Sequence, residues 1–133
     1  MRIVLDTNVL IASFIARGFC HELFEHCNIR HTIVGSEFIL NEVREKLIEK
    51  FKYTAATADE VVALLRSRTQ IVLPTALSTS VCRDSDDDTI LATALSGNCD
   101  CIVTGDRDLL ILQEFEGVMI FSPRDFSEFE NKE

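Results

Sequence analysis

Tryptophan is missing from this chain of 133 residues, and proline (two) and glycine (five) are scarce. With 47% hydrophobic and 26% charged residues, that composition excludes a collagen-like or low-complexity polymer and an intrinsically disordered chain. No apolar run approaches the roughly 20 residues that a membrane-spanning helix needs. The opening MRIVLDTNVL holds only a short apolar stretch before Asp6, too little for a secretory signal. The expectation is a cytoplasmic protein with no membrane contact. A disulfide framework is absent too, since the five cysteines are odd in number and form no CxxC pair. A single domain of this length buries about two-thirds of its surface and needs no such staples. Positive charge is in deficit, with 13 Lys and Arg against 22 Asp and Glu, a formal charge of −9. That balance argues against gripping nucleic acid by charge alone. It leaves open a protein that meets phosphate through bound divalent cations.

Hydrophobic patterning supplies the organisation. Ile3-Val4-Leu5, closed by Asp6, reads as a short buried strand. Thr7 and Asn8 are capping types, and Val9 to Ala12 continues as helix. Phe19, Leu23, Phe24 and Cys27 have helical spacing, and His31 to Gly35 reads as a second strand. Ser36 opens a long helix with Ile39, Val43, Leu47 and Phe51 on one face, and residues 55–68 form another. Gln70 to Leu73 reads as a third strand, stopped by Pro74, and residues 75–83 as a loop. Ser85-Asp86-Asp87-Asp88 looks like a capping-box start with Ser85 as the N-cap. Its helix ends at Gly97-Asn98. Cys101-Ile102-Val103 and Val118 to Phe121 are the fourth and fifth strands, and a short helix closes the chain. Strands alternating with helices predict one α/β domain over residues 1–133, with a parallel sheet of about five strands.

Cys20, His21, His26, Cys27 and His31 fall within twelve residues, with Cys20 and Cys27 two helical turns apart. Their spacing departs from the usual zinc patterns. The sequence therefore reads as an amphipathic helix with two buried thiols and exposed histidines.

The acids are more informative. In an open α/β sheet, ligands bind beyond the carboxyl ends of the strands. Asp6 and Asp106 each follow an apolar strand directly, so both belong on that edge. Asp88 stands in the first turn of the helix that leads to the Asp106 strand. Glu42 lies about two turns into the helix after the second strand. Each has an ordinary use when taken singly: Asp6 as a helix cap, Asp86 to Asp88 as partners of the helix dipole, Glu42 on a solvated face. Jointly they gather carboxylates whose mutual repulsion a hard cation, Mg²⁺ or Mn²⁺, would relieve.

These residues resemble the PIN-domain nuclease family. LDTNVLI (Leu5 to Ile11) is similar to its first motif, RDSDDDTILATAL (Arg83 to Leu95) to its third and CIVTGDRDLL (Cys101 to Leu110) to its fourth. The resemblance covers nearly the whole chain. It implies a three-layer α/β/α sandwich and an Mg²⁺- or Mn²⁺-dependent ribonuclease cutting single-stranded RNA, in the style of VapC toxins of type II toxin–antitoxin pairs. By position, Asp6, Glu42, Asp88 and Asp106 match the four acids. Asp6, Asp88 and Asp106 would ligate metal. Asp87 is the neighbouring rival of Asp88, which is preferred for its spacing to Leu91 and Ala92. Asp108 is an auxiliary acid, and Asn8 and Thr104 match supporting polar positions. Arg44, Lys46, Lys50 and Lys52 could line the path of an RNA strand, or balance Glu45 and Glu49 on a mixed face. A cognate antitoxin and a homodimer are the partners implied. A phosphatase of the haloacid dehalogenase kind fits worse, because Asn8 stands where that family has a second Asp. A PIN module that binds RNA or protein without cutting is the other reading.

Overall fold

A computed structural model describes residues 1–132. The strands are β1 (Arg2–Leu5), β2 (Thr32–Gly35), β3 (Gln70–Ile71), β4 (Cys101–Val103), β5 (Glu114–Phe115) and β6 (Val118–Phe121). The helices are α1 (Thr7–Ile15), α2 (Phe19–Arg30), α3 (Glu37–Glu49), α4 (Ala55–Arg68), α5 (Ser85–Ser96), α6 (Arg107–Leu110) and α7 (Pro123–Asn131).

The strands form one sheet in the order β3-β2-β1-β4-β6-β5, parallel throughout except for β5. Ile3 pairs with Ile33 on one side and Cys101 on the other, and Val4 with Val34 and Ile102. Helices cover both faces, so the central strands read as unbroken apolar runs rather than alternating ones. Ile3, Val4 and Leu5 are at most 1% exposed, each contributing about 1.5–3 kcal/mol of burial. The three-layer α/β/α sandwich expected from the sequence is the architecture found.

Chain order sets the location of the site. From β1 the chain winds outward through β2 to β3, then returns to β4 on the other side of β1 and continues to β6. The reversal falls between β1 and β4, and a crevice opens where two adjacent parallel strands send their connections in opposite directions.

Three local readings are corrected. The sheet has six strands, because Glu114 and Phe115 turn back onto Met119 and Val118 through a tight hairpin. Glu116 (φ 47°) and Gly117 (φ 88°) take the left-handed conformations that a two-residue hairpin loop requires. The third strand covers Gln70–Ile71 rather than residues 70–73. The N-cap of α5 is Asp84, whose side chain accepts from the Asp86 amide at 2.9 Å, so Ser85 is already the first helical residue.

The cysteine and histidine cluster is spread around α2. Cys27 is buried as expected, Cys20 is half-buried rather than buried, and His26 is exposed while His21 and His31 are half-buried; all five cysteines are free. His21 Nδ1 lies 3.1 Å from the Ser13 carbonyl oxygen. No helix among the described residues is long and apolar enough to cross a membrane.

Candidate active site

Asp6 is at once the end of β1 and the N-cap of α1. Its Oδ1 accepts from the Thr7 amide at 2.7 Å. Its Oδ2 accepts from the hydroxyl of Thr104, the residue just after β4, at 2.7 Å. The Thr104 hydroxyl in turn accepts from the Asp106 amide at 3.0 Å. Asp106 caps α6, its Oδ1 accepting from the Asp108 amide at 2.8 Å. One fully buried threonine thus couples the first and last acids at the switch point. Glu42 comes from the second turn of α3, and the Thr7 hydroxyl donates to its Oε1 at 2.7 Å. The sequence marked Thr7 only as a capping type, although its place next to Asp6 was the available signal for a role in the site.

Asp6, Glu42 and Asp106 therefore meet as expected, in a cleft of about 280 Å³ shared with Asp84, Asp86 and Asp87. In the place expected for Asp88, the structure brings Asp87 into that cleft. Asp87 is only 8% exposed, and its carboxylate oxygens share a space with those of Asp106 and Asp108, one from each lying within 4.8 Å of the others. Asp88 turns away: its carboxylate accepts from the amides of Cys82 at 2.8 Å and Val81 at 3.2 Å, pinning the preceding loop. It lines a separate, larger cleft of about 440 Å³ that holds no second acid among the described residues. The cause is the one-residue shift of the N-cap. With Asp84 capping, Asp87 is the third helical residue, and one residue is a rotation of about 100°.

Of the auxiliary residues, Thr104 supports an acid directly. Asn8 does so indirectly, its Oδ1 accepting from Lys46 Nζ at 3.3 Å at the lip of the cleft. Asp108 stands beside Asp106 and is bound through both oxygens by Arg83 Nη2, at 2.8 and 3.0 Å. Among the described residues, Lys46 is the one cation lining the cleft. Arg44 instead pairs with Asp59 of α4 at 2.7 Å, and Lys52 donates to the Glu49 carbonyl.

The electrostatics follow from crowding. Burial, then the charges of Asp106, Asp84 and Asp6, push the Asp87 carboxyl up to about 7. Burial also raises Asp6 and Glu42, against the Thr104 and Thr7 hydroxyls that favour their ionised forms. Lys46 offsets little of this, since a single cation faces six carboxylates. A dense all-oxygen donor set with unrelieved repulsion suits a hard divalent cation; the carboxylates close enough together to share one are Asp87, Asp106 and Asp108, with Asp6 lining the same cleft.

The family model of the PIN domain matches residues 2–108. Among solved structures, VapBC2 from Rickettsia felis bound to a promoter DNA fragment superposes with a TM-score of 0.66 at 15% identity, covering 90% of this chain and 97% of that one. VapBC-1 from nontypeable Haemophilus influenzae gives 0.64 at 17% identity, covering 93% and 99%. Likeness at that identity speaks for the fold. No curated protein sequence matches the chain.

Proposed function

The chain belongs to the PIN domain family, and from that premise we propose that it is a divalent-metal-dependent endoribonuclease hydrolysing single-stranded RNA, the toxin of a toxin–antitoxin pair. The observation that carries the reading is the meeting of Asp6, Glu42, Asp87 and Asp106 in one cleft at the switch point of the sheet.

Asp6, Asp87 and Asp106 would hold Mg²⁺ or Mn²⁺, which when bound supplies positive charge to the scissile phosphate and acidifies water. The chain's own residues do the rest. The Thr104 and Thr7 hydroxyls fix the first acid and Glu42, so the donor set is oriented before substrate arrives. Glu42 has Oε1 engaged by Thr7, which leaves Oε2 to accept the proton of the attacking water. Burial raises its affinity for that proton. Lys46 at the lip can bind the phosphate that follows the scissile bond, in a groove that is otherwise acidic.

Both structural neighbours are VapBC toxin–antitoxin complexes, which supports an antitoxin partner here. An antitoxin suited to this surface buries apolar area and brings a basic group to the acids. The apolar cleft beside β3, lined by Phe38, Ile71, Val72, Leu73 and Pro74, offers such area. The same reading implies a homodimer working in the cytoplasm, where RNA and antitoxin are met.

A fluorescent RNA oligonucleotide tests the core of the proposal. Cleavage is expected with Mn²⁺, and not with EDTA or in Asp6→Asn. Cleavage that survives both treatments removes the metal mechanism, and tight RNA binding without products makes the chain a binding module. Co-purification of a small basic protein from the native host supports the toxin assignment, whereas a lone chain that never slows growth on expression opposes it.

A further inference from the structure

On the far side of the molecule from the acids, His26 and His31 meet Glu130 of α7, about a hundred residues later in the chain. His26 Nε2 lies 2.9 Å from Glu130 Oε1, and His31 Nε2 lies 2.6 Å from Oε2. The two rings stand edge to face with centroids 5.6 Å apart. One donor atom from each of the three residues falls within 4.8 Å of the other two. We propose that His26, His31 and Glu130 form a second metal site, one that takes a borderline-soft divalent ion of the Zn²⁺ class and clips α7 to α2 and to the start of β2. The inference is independent of the nuclease reading.

The donor chemistry separates this site from the acidic cleft. Two imidazole nitrogens and one carboxylate suit Zn²⁺, Co²⁺ or Ni²⁺, whereas Mg²⁺ prefers oxygen ligands alone. Bonds of about 2.0–2.1 Å in a tetrahedral site set neighbouring donors about 3.3 Å apart. The present hydrogen-bonded spacings of 2.9 and 2.6 Å to Glu130 thus need to open by about 0.4 and about 0.7 Å. The His31 ring is held in position by the buried Phe126, against which it packs edge-on with centroids 6.0 Å apart. The fourth position faces a cleft of about 350 Å³ that adjoins His26 and Glu130. Glu22, one turn before His26 on α2, lines that cleft as well. The clip has a purpose in the fold, because the main packing of α7 is on β6 and α2. An ion bound to the folded state alone stabilises that attachment by mass action.

The proposal is tested by a Co²⁺ titration of the full chain in saturating Mg²⁺, read by visible absorption and back-titrated with Zn²⁺. One equivalent of Co²⁺ with the strong bands of a four-coordinate centre is expected, unchanged in Asp6→Asn and bleached by Zn²⁺. Affinity should fall more than about tenfold in His26→Gln and in Glu130→Gln. His26 is half exposed, so its variant folds whatever the role of the site. Zn²⁺ should raise the melting temperature of the wild type and of Asp6→Asn, and not that of His26→Gln. Absent bands, or bands that vanish in Asp6→Asn and persist in His26→Gln, would overturn the proposal and leave the trio a hydrogen-bonded clasp.

Discussion

The Thr104 hydroxyl donates to Asp6 Oδ2 at 2.7 Å across 98 residues of sequence. The Thr104 hydroxyl oxygen itself accepts from the Asp106 amide at 3.0 Å. Two acids at the ends of neighbouring parallel strands are thereby fixed by a single fully buried side chain, whose two bonds are both needed because an unpaired buried group costs more than its bond returns.

Thr104→Val keeps the shape and removes both bonds. It strands the Asp6 carboxylate oxygen and the Asp106 amide, and urea unfolding should show a loss of about 1–3 kcal/mol. Thr104→Ser restores the hydroxyl and should recover most of it. RNA cleavage by the valine variant should fall with kcat rather than KM, because the acids lose their orientation while the groove is unchanged. Equal stability of the Val and Ser variants would show that the bridge contributes nothing.

Asp87 and Asp88 should separate cleanly by substitution. Asp87→Asn should lower RNA cleavage by roughly two orders of magnitude or more, the scale of losing one preorganised charge at a reacting centre. Asp88→Asn should retain most activity. Although burial opposes it, the Cys82 and Val81 amides hold the Asp88 carboxyl below its ordinary range, so its loss should loosen the loop before α5. Faster amide exchange at Cys82 is the readout. The opposite pattern of activities would return the fourth acid to Asp88.

How much of this was legible in the sequence depends on residue spacing. Asp6 and Asp106 were readable because each closes a run of fully buried apolar residues, and the switch-point rule then puts them together. Asp87 was not separable from Asp88 because Asp84, Ser85 and three further acids all qualify as caps or first-turn residues. The choice among them is fixed by which side chain reaches the Asp86 amide. α6 and β5 were missed since elements of four and two residues leave no periodicity to detect. The meeting of His26 and His31 with Glu130 has no local trace, as it depends on the packing of α7 against α2.

Gly97 illustrates a glycine whose reason differs from the one its position suggested. The sequence placed the helix end at Gly97-Asn98, and it is Asn98, with φ 50°, that takes the left-handed conformation there, while Gly97 has φ −88°. A Cβ on Gly97 would stand 2.7 Å from Val34 Cγ1 and 3.2 Å from Cys99 Sγ. Glycine is there to let the end of α5 press on β2. Gly97→Ala should destabilise by about 1–3 kcal/mol through overpacking, measured by urea unfolding, while Gly97→Ala with Val34→Ala should regain part of the loss. A neutral single variant would show that Val34 turns aside freely.

The metal-free protein should lose stability as pH rises from about 4 to about 7. Burial, with Asp106, Asp84 and Asp6, raises the folded-state Asp87 carboxyl from 3.8 to about 7. Between those values the native state holds a proton that the unfolded chain has released, so ionisation opposes folding over that window, with no further loss from this group above it. Asp6 and Glu42, also raised by burial, act in the same direction. In EDTA the melting temperature should therefore be higher at pH 5 than at pH 8, and Asp87→Asn should remove much of the difference. Saturating Mn²⁺ should restore stability at pH 8, because a cation in the cleft replaces the proton as the group that relieves the carboxylates. A melting temperature that climbs from pH 5 to pH 8 in EDTA would mean that the acids are not crowded enough to call for a cation.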